Sequence, residues 1–110
     1  VGVIYDPGNM VCEGYETYKM GLELLGDYLA HVHVKNLMWQ LKDVSLIGTA
    51  KWQTISVPVN VGCANIERVI SDLKLIKYNK WLSLEDFSDT PTEEKIKKAH
   101  DYLKKIVKHP

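Results

Sequence analysis

The feature that most constrains this chain is an alternation: short strand-like runs are separated by amphipathic stripes of helical period, and no hairpin signal joins two strands. Residues 1–5, Val-Gly-Val-Ile-Tyr, read as a first strand closed by Asp6-Pro7-Gly8-Asn9. Tyr15, Tyr18, Leu22 and Leu25 make one face of a helix, with Gly26 as its stop. In residues 29–35, Ala30, Val32 and Val34 face one way and His31, His33 and Lys35 the other. Ile66, Val69, Ile70, Leu73 and Ile76 form a second stripe behind an Asn65 cap. Residues 81–87 read as a third strand, with Leu82 and Leu84 opposed to Ser83 and Glu85. A last helix opens near Thr92 or Asp89, with Pro91 at its start. Its stripe is Ile96, Ala99, Leu103, Ile106 and Val107, and Lys95, Lys97, Lys98, Lys104 and Lys105 read as a solvated face.

Strands that alternate with helices pair in parallel through crossovers, so the expected class is α/β with three β/α units. Residues 36–64 show no sustained period and read as a long loop holding Trp39, Gly48, Trp52, Pro58 and Gly62. Loops of that length in compact domains are often functional. This one leaves the end of the His-bearing strand, so it is expected over the carboxyl edge of the sheet, its two Trp walling a pocket. The 110 residues make one domain, and 14 basic against 14 acidic residues speak against a nucleic-acid partner. No apolar run approaches the ~18–20 residues of a membrane span, no signal-peptide pattern opens the chain, and Cys12 and Cys63 are too few for a disulfide scaffold. A cytoplasmic setting is the expectation. Because the chain begins at Val1, it reads as a processed product or a piece of something longer.

A buried parallel strand should be almost continuously apolar, and these strands are not. Asp6 ends the first, His33 and Lys35 stand near the end of the second, and Glu85 near the end of the third. The carboxyl ends of parallel strands are where α/β active sites form. Parallel pairing would bring Asp6, His33 and Glu85 to one rim as a candidate divalent-cation site: carboxylates suit Mg²⁺ or Mn²⁺, and imidazole admits Zn²⁺, Co²⁺ or Fe²⁺. Blander readings stand beside this one. Asp6 before Pro7 is equally a turn residue, and Glu85 has an ordinary Lys ion pair as its alternative. His100 and His109 receive no role.

Three blocks carry a family resemblance: Val3-Ile4-Tyr5-Asp6-Pro7-Gly8-Asn9, Ala30-His31-Val32-His33-Val34-Lys35-Asn36 and Trp81-Leu82-Ser83-Leu84-Glu85-Asp86-Phe87. In this order they resemble the C-terminal part of the sugar phosphate isomerase/epimerase family, the xylose-isomerase-like TIM barrels. Trp52 and Val57-Pro58-Val59-Asn60-Val61-Gly62 are similar to the turn the family has between its second and third blocks. The resemblance implies a partial TIM-barrel domain over residues 1–110, equivalent to strands six, seven and eight with their helices, about the last three-eighths of a (β/α)8 barrel. It also implies that Asp6, His33 and Glu85 are three of four metal ligands, the fourth, a Glu, lying upstream of Val1. Members often carry His at the position of Asn9, Arg at that of Trp39 and Asp at that of Asn36, so this chain departs from them there.

The function so implied is a divalent-metal-dependent isomerase or epimerase of a sugar or sugar phosphate, working by proton transfer through a cis-enediolate. Mn²⁺ or Mg²⁺ leads, with Zn²⁺ or Co²⁺ as alternatives. Glu85 would be one proton-transfer group; His31, Lys35, Asn9 and Trp39 would meet the substrate. Two other readings stand against it: an apurinic endonuclease-like member of the same superfamily, and a non-catalytic partial barrel kept for assembly. The expected partners are a small sugar-like molecule and the remaining barrel strands, from the same or another chain, with neither nucleic acid nor membrane. By itself the chain is expected to be catalytically inert.

Overall fold

A computed structural model describes residues 1–14 and 17–108. Tyr15 and His109 lie outside the described residues. Strand β1 (Val3–Tyr5) runs straight into helix α1 (Pro7–Glu13). Asp6-Pro7-Gly8-Asn9, expected from the sequence as a strand-ending turn, is a helix start. Asp6 is the N-cap, its side chain accepting from the Asn9 amide, and Pro7 holds the first helical position. Turn and helix start share the same punctuation, because Pro sets the φ and lacks the N–H in both. Helix α2 (Tyr18–Leu25) is capped by Thr17 and ended by Gly26, whose φ of +52° suits glycine. A single 3₁₀ turn, Gly26–Tyr28, leads into β2 (Leu29–Val34).

The segment 36–64 is not an irregular loop. It contains β3 (Asn36–Val44) and β4 (Ala50–Val57), an antiparallel hairpin around a Ser45 to Thr49 turn with Gly48 at φ +86°. Its register explains why no period showed. Leu37, Trp39, Leu41 and Trp52 lie on one face and Met38, Ile55 and Val57 on the other. A two-stranded ribbon has no single buried side, so apolar residues fall on both and the two-residue period is lost. Helix α3 (Ile66–Leu75) follows its Asn65 cap, then β5 (Leu82–Leu84) and α4 (Thr92–Lys108).

The three remaining strands form a parallel sheet in the order β1-β2-β5, so the α/β class with parallel pairing is correct. One face packs on the helices. Val32 and Val34 of β2 sit in a core with Tyr5, Leu22, Val59, Val69, Ile70 and Leu73, and Leu82 and Leu84 pack against it half-buried. Ala30, expected inside, is exposed. The register slips between Val3 and Ile4, which pair with Leu29 and His31, leaving Ala30 as a bulge. The bulge resets the phase of the strand, so Leu29 and Val32 both point inward.

The last helix also departs from its expected stripe. Ala99, Leu103 and Ile106 face the core with Tyr102, whereas Ile96 and Val107 are exposed. Its lysines are not all solvated. Lys95 donates to the carbonyls of Asp86 and Ser88, both at 2.9 Å, and so ties the start of α4 to the segment after β5.

Candidate functional site

The side of the sheet away from the helices carries Ile4 on β1, His31 and His33 on β2, and Ser83 on β5, placed by registers Ile4 to His31 and His33 to Ser83. At the carboxyl edge this side ends in Asp6, Lys35 and Glu85. Glu85 lies one residue beyond β5, yet its amide still donates to the Val34 carbonyl at 3.0 Å, extending the ladder to it. The backbone ladders therefore aim an acid, an imidazole and a second acid at one point. One donor atom from each of Asp6, His33 and Glu85 lies within 4.8 Å of the others.

His33 Nδ1 stands 2.7 Å from Glu85 Oε2 and 3.6 Å from Asp6 Oδ2. Lys35 Nζ stands 3.2 Å from Asp6 Oδ2 and donates to Glu85 Oε1 at 3.5 Å. The ion-pair reading of Glu85 is thus correct in geometry, and it coexists with the cluster. The two oxygens of Asp6 have different work. Oδ1 is used by the α1 cap, while Oδ2 is buried, receives no hydrogen bond and faces the cluster. The ammonium is close enough for an ion pair with Oδ2, although not aligned to donate to it. A buried carboxylate oxygen without a hydrogen bond needs a cation beside it, a place held here by the Lys35 ammonium. Two carboxylates and an imidazole are a suitable donor set for a divalent cation. The residues present therefore fit such an ion.

His31 lies one step deeper on the same side: its Nε2 is 2.6 Å from Ser83 Oγ, and its ring meets that of His33 edge-on at 5.4 Å. Asn9 is exposed in α1 and lines a cleft beside Asp6 with Ile4, Met10 and Leu24. Trp39 is elsewhere. It sits on β3 beside Trp52, where the two rings bound an apolar cleft, and no described contact joins it to the cluster.

The hairpin stands where the lid was expected. Its base leaves the carboxyl end of β2, the Phe87 amide donates to Ser56 Oγ at 3.2 Å, and Cys12 of α1 donates to Thr54 Oγ1 at 3.4 Å. Sequence reasoning passed over the residue that anchors it. Asn36 is 2% exposed, donates to the carbonyls of Val59 and Ala64, and accepts from the amides of Leu37 and Ala64. Gly62, at φ +117°, lies so close that a Cβ there would come within 2.6 Å of Asn36 Oδ1. The signal was present in the Asn that follows Lys35 and in the spacing from Pro58 to Gly62.

A family model of xylose isomerase-like TIM barrels matches residues 1–106. A xylose isomerase domain protein from Planctomyces limnophilus has the same fold, with a TM-score of 0.69 at 20% identity, over 96% of this chain and 37% of that one. The chain thus spans less than half the length of that solved structure. No curated protein matches it. Among the described residues, no helix is long and apolar enough to cross a membrane.

Proposed function

This chain belongs to the xylose isomerase-like TIM barrel family, and we propose that it forms the last three strand–helix units of a (β/α)8 barrel that isomerises or epimerises a sugar or sugar phosphate. A full barrel takes ~250 residues, and this chain corresponds to 37% of its solved relative. Strands β1 and β5 each pair with β2 alone among the described strands, and Ile4 on the open side is 55% exposed. Further strands, from the same or another chain, would cover those edges.

The observation that carries the reading is the convergence of one donor atom each from Asp6, His33 and Glu85, with the Asp6 oxygen buried, accepting no hydrogen bond and paired only with the Lys35 ammonium and His33. Asp6, His33 and Glu85 would hold one divalent cation, Mn²⁺ or Mg²⁺ by their oxygen content, with Zn²⁺ or Co²⁺ admitted by the imidazole. The cation supplies Lewis acidity toward a substrate carbonyl. Glu85 takes or returns the proton on the neighbouring carbon, and the acid completing the exchange comes from the strands that close the barrel. His31 and Lys35 face the same side and hydrogen-bond substrate hydroxyls. Asn9 borders the entrance, and Trp39 serves as an outlying wall.

The first test is Mn²⁺ binding followed by electron paramagnetic resonance. One site is expected, weakened at least about tenfold in Asp6→Asn and Glu85→Gln; equal binding by all three proteins would sink the reading. The second test supplies the completing strands and follows exchange of substrate C–H with deuterium from solvent. The chain alone should show none. Cleavage of abasic DNA instead would favour the endonuclease reading, and neither activity would favour the assembly reading.

A further inference from the structure

Lys35 lies against both acidic members of the cluster and, in the same position, against an aromatic ring. Its stem is held beneath the first turn of α1, where a Cβ on Gly8 would meet Lys35 Cγ at 2.9 Å. From that seat the ammonium reaches both outer strands, 3.2 Å from Asp6 Oδ2 and 3.5 Å from Glu85 Oε1. From the same position the ammonium already lies over the Phe87 ring, its centroid 5.9 Å from Nζ and its residue 68% exposed. Asp6 Oδ2 is therefore contested. It is the acid oxygen left over from capping, the one a bound cation would need, and the one nearest the ammonium. Two carboxylate charges facing one another require compensation, and Lys35 supplies half of it. A divalent cation entering the cluster meets a partly neutralised site and the repulsion of a like charge a few ångströms away.

We infer that Lys35 is an exchangeable counter-ion. Its ammonium holds Asp6 and Glu85 in competition with the divalent cation, and on cation binding it gives up the two acids and keeps the Phe87 ring, whose face attracts cations. The inference rests on the cation reading of the cluster. It makes Lys35 a positioning residue that keeps two acids together at the price of cation affinity, the reverse of a supporting residue that strengthens binding. The two roles predict opposite signs.

Lys35→Met keeps the stem and removes the charge. Its Mn²⁺ dissociation constant should fall about tenfold or more below that of the unmodified chain. Its Tm without Mn²⁺ should be lower, and the rise on adding Mn²⁺ larger, since ligand binding to the folded state adds stability that grows with the logarithm of ligand concentration over Kd. Lys35→Arg retains the charge and should stay within about threefold of the unmodified chain. Unchanged or weaker Mn²⁺ binding by Lys35→Met overturns the inference while leaving the cation reading intact. If neither the unmodified chain nor Lys35→Met binds Mn²⁺, both fall together. Should Lys35→Met be unfolded without metal, circular dichroism during a Mn²⁺ titration decides: recovery of helix supports the exchange, and absence of recovery overturns it.

Discussion

The parallel sheet and the hairpin lie next to one another and are held by different physics. Strand β2 has Val32 and Val34 in the core, at 0% and 2% exposure, and its position is fixed from beneath by the helices. The hairpin has no comparable core. Leu41, Val44 and Trp52 are each about half exposed or more, Leu46 and Ile47 at the turn are fully so, and only at its base do apolar residues, Val57 and Leu37, turn inward beside the polar ties of Asn36 and Ser56. A two-stranded ribbon is marginal by itself. The difference teaches where precision resides: the cluster inherits its geometry from the core through the strand register, whereas the hairpin is held at its base by Asn36, Leu37, Ser56 and Val57 and beyond it by the Thr54 link alone among the described hydrogen bonds.

If that contrast is right, the largest loss should come where the two regions join. Asn36→Ala leaves two amides and two carbonyls at the base without their side-chain partner, each such buried group costing about 1–3 kcal/mol. We expect about 4 kcal/mol of destabilisation by urea unfolding, with amide exchange in β3 and β4 accelerating more than in β2. Uniform acceleration would mean that the hairpin is not separately anchored.

Leu22→Ala tests the other region. Leu22 is fully buried, and such a truncation costs about 3 kcal/mol. It should lower the urea midpoint and loosen the whole sheet at once; a loss confined to α2 would contradict a shared core.

Removing the charge of Asp6 while keeping the α1 cap is a smaller change. Asp6→Asn keeps an acceptor for the Asn9 amide and removes the charge facing Lys35 and His33, so stability should move by about 1 kcal/mol or less while Mn²⁺ binding drops. Parallel loss of both would place Asp6 in the architecture alone. The smallest effect is expected for Trp52→Ala. Its ring lies beside Trp39 on the hairpin surface at 59% exposure, and cross-strand pairs of this kind contribute about 0.2–1 kcal/mol. A loss as large as that of Leu22→Ala would show the hairpin to be part of the core.

The sequence determined the parallel sheet, the positions of α2 and α3 and the three residues of the cluster. In each case the signal was local: helical stripes, the Asn65 cap, and ionisable residues at strand ends where an apolar run was due. What it could not determine was decided by pairing and packing. The hairpin hid because its apolar residues divide between two faces, and only the β3–β4 register reveals which sit together. Ala30 left the core because a bulge shifted the phase of β2 against β1, a relation no single strand contains. Helix α1 hid behind the punctuation of a turn, and whether Asp6-Pro7 begins a helix depends on what that helix can pack against. Likewise the sequence names Lys35 as polar and strand-terminal. That its ammonium lies between two acids contributed by different strands follows from the order β1-β2-β5, because the central strand is the one whose end can reach both neighbours.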